Sequence, residues 1–197
     1  LVVSCHCQFK SGPLFIKGTN VSLNVEEGAS LVAAFGPQRW PQITTAVGSQ
    51  RRSCASGHRP CFQDFIVFRE CDGCSLKGSG TFSGRAVELD WYLLRNLVKN
   101  SSRLNASSPN MLTVVDSSDF TLSGVTILDA PKFNVELSAV TRAEISFVNI
   151  TSPWWTDLDG KVQQPYNTDG IDPGAGSSDI WIHDCYISNG DDSIAVK

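Results

Sequence analysis

Long apolar runs are missing from this chain of 197 residues, and its second half shows no helical periodicity. The first absence excludes a membrane-spanning helix, which needs about 20 consecutive apolar residues. The second argues against a helix-dominated fold. A strong charge of either sign is also lacking: the formal net charge is -4, a mild acidic balance that speaks against a nucleic-acid partner. What is present, 41% hydrophobic residues, suits one domain spanning residues 1–197 with a substantial core.

The apolar residues form a ladder. Phe120, Leu122, Val125 and Ile127 recur as Ala143, Ile145, Val148 and Ile150, and again as Ile180, Ile182, Cys185 and Ile187. The first step is 23 residues and the second 37; the 14-residue excess falls in Thr151 to Tyr166, rich in Pro, Trp and Asp, which reads as a protruding loop. Within each unit the apolar positions alternate, skip at a turn and alternate again, the pattern of two short strands and a bend. Such a unit cannot bury its apolar face alone and must stack on its neighbours. The expected fold is all-β, a right-handed parallel β-helix.

Two acidic motifs share this spacing: Asn167-Thr168-Asp169-Gly170-Ile171-Asp172 and Gly190-Asp191-Asp192-Ser193-Ile194. Asp169 and Asp192 are 23 residues apart, as are Ile171 and Ile194. Adjacent coils lie about 4.8 Å apart, so Asp169 and Asp192 are expected to be stacked partners. Strict alternation would aim Asp191 into the core, where an unpaired charge is not tolerated. A bend or bulge at Gly190 is therefore expected to keep the three acids outside. Acids crowded into one patch usually do chemistry.

These motifs resemble the signature of the polygalacturonase family of glycoside hydrolases, family 28. Further similar stretches occur in family order: Phe9 to Lys17, Glu27 to Leu31, Lys77 to Gly84 and Ser123 to Ile127. The resemblance implies a pectin-lyase-like solenoid that hydrolyses α-1,4-galacturonosyl linkages of polygalacturonan or pectin with inversion at the anomeric carbon. By position, Asp191 resembles the general acid, and Asp169 and Asp192 the pair that activates water. Asn167 would orient the acids or the sugar. A shared acid patch keeps one proton available while a stacked pair holds a water. The implied enzyme needs no metal or other cofactor, takes a polysaccharide substrate, has no membrane partner and acts as a secreted monomer at the cell wall.

The resemblance is incomplete. The family places a Gly-His-Gly and an Arg-Ile-Lys motif on later coils, the basic pair gripping the substrate carboxylate; this chain stops at Lys197 and starts within family-like sequence. It reads as an internal fragment, its β-helix incomplete at the C-terminal end and inactive alone. The acid motifs contain no Arg or Lys to offset repulsion of an anionic substrate. For a chain that starts internally, the lack of a visible leader carries no information.

Seven cysteines, at 5, 7, 54, 61, 71, 74 and 185, suit an oxidising compartment. Cys54, His58, Cys61, Cys71 and Cys74 lack zinc-site spacing, so loop disulfides or stacked core thiols are the plainer reading. Sequons begin at Asn20, Asn100, Asn105 and Asn149; Asn100 and Asn105, in a Ser-rich stretch, are the better glycan acceptors.

Other residues carry two readings. Trp154 and Trp155 would either stack on sugar rings or cap the core. Asp172, before Pro173, suits turn stabilisation more than catalysis. His183 reads as a solvated surface residue. Gly170 and Gly190 permit tight backbone at the acids. Residues 42–64 read as an irregular loop, and Val87 to Val98 as a short helix or another rung. Alternatives to the galacturonan hydrolase are a rhamnogalacturonan hydrolase, a non-catalytic glycan-binding β-helix, and a polysaccharide lyase using calcium and a basic residue.

Overall fold

The structure, a computed structural model, describes residues 1–43, 61–94 and 108–197. Its two large sheets, of nine and six strands, are parallel throughout. The chain winds between them coil after coil as a right-handed parallel β-helix. No helix among the described residues is long and apolar enough to cross a membrane.

The apolar ladder is the wall of the spiral. Phe120 pairs with Ala143 and Ala143 with Ile180; Leu122, Ile145 and Ile182 stack likewise. On the second sheet Ile127, Ile150 and Ile187 continue the pattern. In the first two of these coils every ladder residue is buried, each large side chain contributing about 1.5–3 kcal/mol. In the third, Ile180, Ile182, Cys185 and Ile187 are only half-buried.

Bends within and between strands are made at residues with positive φ, among them several Asp and Asn. Asp116, Asp119, Asp129, Asn167 and Asp184 all have φ between 50° and 54°, a left-handed conformation that their short polar side chains tolerate. The 14-residue excess leaves the spiral as an antiparallel hairpin, Trp155–Thr156 against Val162–Gln163. The coil resumes at Ile171–Pro173, which pairs with Val135–Leu137.

Residues 91–94 wind as a helical turn, which favours the helix reading for the start of that segment. Cys54, His58, Asn100 and Asn105 lie outside the described residues. Cys5 and Cys7 form a disulfide, Cys61 is disulfide-bonded, and Cys71 and Cys74 are buried thiols directed at the carbonyls of Ile16 and Gly18.

Candidate active site

Backbone hydrogen bonds between two coils create the site. Gly170 N–H donates to the Asp192 carbonyl and Ile171 N–H to that of Ser193, while Ala195 N–H donates to the Ile171 carbonyl. Ile171 therefore faces Ile194, the 23-residue step expected from the motifs. Ile171 is wholly buried, whereas Ile194 is half exposed.

One carboxylate oxygen from each of Asp169, Asp191 and Asp192 lies within 4.8 Å of the others. Asp191 and Asp192 are exposed, but Asp169 is buried, contrary to the expectation that all three acids stand outside. The chain bends at Gly190 and Asp191, which turns the Asp191 side chain outward. The glycine is required by proximity rather than by φ: a Cβ at Gly190 would meet the Pro165 carbonyl.

Backbone donors orient Asp191. Asp191 accepts the Asn167 N–H at Oδ2 (2.9 Å) and the Asp192 N–H at Oδ1 (3.0 Å). Asn167 thus orients an acid through its backbone. Around it, the buried Thr168 hydroxyl donates to the Pro165 carbonyl and accepts the Gly190 N–H. The amide of Asn189 donates to the carbonyls of Thr168 and Asp192, and that of Asn134 to those of Thr168 and Asp169. These side chains pin the two acid segments together.

A cation that sequence reasoning passed over sits among the acids. Lys197 Nζ lies 2.7 Å from Asp169 Oδ2 and 2.6 Å from Asp172 Oδ2, and 3.7 Å from the Phe133 ring centroid. Its backbone explains its placement: Lys197 N–H donates to the Pro173 carbonyl, holding the last residues along the acid strand. The only signal in the sequence is its position three residues beyond the Asp191 motif, on the same alternation as Ala195.

Asp172 has more than a turn role. It is fully buried beside Glu136 and paired to Lys197. Burial pushes its carboxyl up to about 7, against the pull of Lys197, and neighbouring Asp169 and Glu136 add to the rise. Burial opposes the charge on Lys197, but the hydrogen bonds to Asp169 and Asp172 outweigh it and raise the ammonium further. Asp169 Oδ1, by contrast, is buried with no hydrogen-bond partner among the described residues.

The polar stack continues down the spiral. Asn110 Nδ2 donates to Glu136 Oε2 (2.5 Å), and Asp64 accepts the Asn110 N–H (2.7 Å) and the Thr113 hydroxyl (2.8 Å). Burial holds the Asp64 carboxyl up at about 7, although Thr113 and Asn110 draw it down.

The two tryptophans part company. Trp154 is exposed, whereas Trp155 is buried against Tyr92 in the core. Of the two readings, burial in the core favours core capping for Trp155. His183 stands apart from the acids, stacked on Trp181 and paired with Asp184. Its hydrogen bond to Asp184 raises its basicity, and Glu144 adds to this.

Among the described residues, Asp169, Asp191 and Asp192 are the one group of three His, Cys, Asp or Glu side chains close enough to meet on a single cation. Lys197 already supplies a positive charge to Asp169.

Comparisons with known proteins place this geometry in context. The sequence profile of glycosyl hydrolases family 28 matches residues 17–197. A polygalacturonase of Ralstonia solanacearum is 27% identical over 222 residues, which cover 96% of this chain and 40% of that protein. An endo-polygalacturonase of Pectobacterium carotovorum subsp. carotovorum is 27% identical over 198 residues, 96% of this chain and 44% of that protein. The solved polygalacturonase of Erwinia carotovora ssp. carotovora superimposes with a TM-score of 0.74 at 26% identity, covering 96% of this chain and 48% of that one. The chain thus spans less than half the length of these relatives.

Proposed function

The chain belongs to glycosyl hydrolases family 28, and on that premise we propose that it is part of a secreted enzyme that hydrolyses α-1,4-galacturonosyl linkages of polygalacturonan. The observation that carries this reading is the meeting of one buried and two exposed carboxylates across adjacent coils. Glycoside hydrolysis needs a proton for the leaving oxygen and a carboxylate to activate water. Asp191, exposed and oriented by two backbone N–H groups, is the general acid in this scheme. Asp169 and Asp192 take the water, Oδ1 of Asp169 being an acceptor without a partner.

The acids stand closer than the roughly 6.5–9.5 Å that most inverting enzymes leave for a water between acid and base. In this scheme the sugar lies so that Asp191 meets its leaving oxygen while the water held by Asp169 and Asp192 attacks the opposite face of the anomeric carbon. This makes product stereochemistry a sharp test. Proton NMR of the first product is expected to show the β-anomer, and an α-anomer would replace single displacement by a covalent mechanism.

A lyase would need a neutral basic side chain to abstract a proton. Lys197, the cation nearest the acids, is instead held charged by two carboxyls. Asp191→Asn in the full-length protein is expected to lower reducing-end release from polygalacturonate by about 10²–10⁴-fold. Unchanged release would remove Asp191 from the acid role. A wild type that binds the polymer without cleaving it would favour a glycan-binding β-helix.

A further inference from the structure

A column of buried carboxyls runs down the spiral from the acid patch: Asp169 and Asp172 on one coil, Glu136 on the coil before, and Asp64 deeper still. Glu136 pairs directly with Asp172, so the two side chains stand one above the other on adjacent parallel strands, about 4.8 Å apart at the backbone. Carboxyls stacked this closely in a dry setting do not all ionise.

Asp172 is met from three directions. Lys197 Nζ, from the following coil, lies 2.6 Å from its Oδ2; Asp169, on the same coil, shares that ammonium; Glu136 faces it from the preceding coil. Beyond Glu136 stand Asn110, whose amide donates to Glu136 Oε2, and Asp64, on which Lys132 also acts. Oδ1 of Asp172 is buried with no hydrogen-bond partner among the described residues. A charge on Asp172 would leave that oxygen bare in the interior, a cost that a proton removes. Glu136 acts in the same direction, since its carboxyl opposes a charge on Asp172 on one side and on Asp64 on the other.

The proton on Asp172 decides which carboxyl Lys197 serves. A neutral Asp172 competes weakly for the ammonium, whereas an ionised one draws it away from Asp169. We propose that Glu136 is a positioning residue: by keeping a proton on Asp172 it leaves the charge of Lys197 to Asp169, and so fixes the carboxyl that holds the attacking water. The inference rests on the hydrolase reading above and adds to it a residue that acts through two others.

The test compares kcat and KM on polygalacturonate across pH for full-length wild type and Glu136→Gln, whose amide oxygen still accepts from Asn110. Without the Glu136 carboxyl, Asp172 ionises at lower pH. The ratio of wild-type to variant kcat is therefore expected to rise about threefold or more between about pH 4.5 and 6.5, with KM moving little. In an Asp172→Asn background, where no second carboxylate competes for Lys197, the same substitution should give a ratio that does not vary with pH. A ratio constant across pH in the first comparison, or a rise that persists in the Asp172→Asn background, would overturn the assignment. Failure of the hydrolase reading is distinguishable by carbon NMR of the protein labelled at its aspartate carboxyls, the Asp172 signal being identified by its loss in Asp172→Asn. Its titration should move to lower pH in Glu136→Gln even if no cleavage is ever seen, and an unmoved titration sinks the proposal.

Discussion

Lys197 and Asp169 are 28 residues apart in sequence, yet Nζ and Oδ2 lie 2.7 Å apart in the folded chain. The same ammonium reaches Asp172, so one cation serves two buried carboxyls that lie three residues apart on the neighbouring coil. Asp172 is pushed toward protonation, by burial above all. In the proposed scheme Asp169 accepts from water at Oδ1 while Lys197 holds Oδ2.

Lys197→Met is accordingly expected to damage both stability and rate. Breaking a fully buried pair costs about 3–5 kcal/mol; the Lys197 side chain is 35% exposed, and solvent screening reduces the expected loss to about 1–2 kcal/mol. Thermal unfolding should shift down by a few degrees, and kcat on polygalacturonate should fall about tenfold or more. Lys197→Arg should recover part of each. An unchanged kcat in the methionine variant would show that Asp169 does not depend on this partner.

Asp64 supplies a pH prediction. Its folded carboxyl is raised to about 7 by burial from an ordinary 3.8, so between these values the folded chain retains a proton that the unfolded chain has released. Stability therefore falls as pH rises from about 4 to 7. Asp172, raised to about 7 as well, adds to the same slope. Denaturant unfolding at pH 4.5 and 7 should show it, and Asp64→Asn, whose amide can still accept from Asn110 and donate to Thr113, should flatten it. An equal slope in wild type and variant would refute the assignment.

Gly170 is a packing requirement of the site. A Cβ there would collide with the Ser193 carbonyl and stand 2.7 Å from Ile187 Cγ2. Gly170→Ala should force the acid coils apart, costing about 1–3 kcal/mol, with a loss of activity larger than the loss of folded protein. Activity at wild-type level in the soluble variant would show that the coil spacing is not critical.

The adjacent tryptophans should behave oppositely. Trp155→Ala removes a core ring and is expected to cost about 3–5 kcal/mol, whereas Trp154→Ala should leave the unfolding midpoint within a degree or so. Comparable midpoints in the two variants would contradict the described packing.

The spiral was legible because its repeat is written in side-chain chemistry. Phe120, Ala143 and Ile180 recur at the spacing on which parallel strands pair, and alternation marks which face is buried. The stacking of Asp169 near Asp192 followed from the same arithmetic, extended through Ile171 and Ile194. Lys197 was not legible, since a lysine near a chain end in a strand pattern ordinarily reads as a solvated side chain. Nor was the fate of Trp155, because its neighbour Trp154 has the same chemistry and only the hairpin decides which ring turns inward.

What the residues alone determined was periodic: a repeat of apolar positions that must stack to leave water, and acids carried on that repeat into one patch. What the tertiary structure decided was the partnership of charges. Burial of Asp169 and Asp172 and the reach of Lys197 depend on distances between coils and on which face each corner turns. Electrostatic energies follow separation and desolvation, and a one-dimensional pattern records neither.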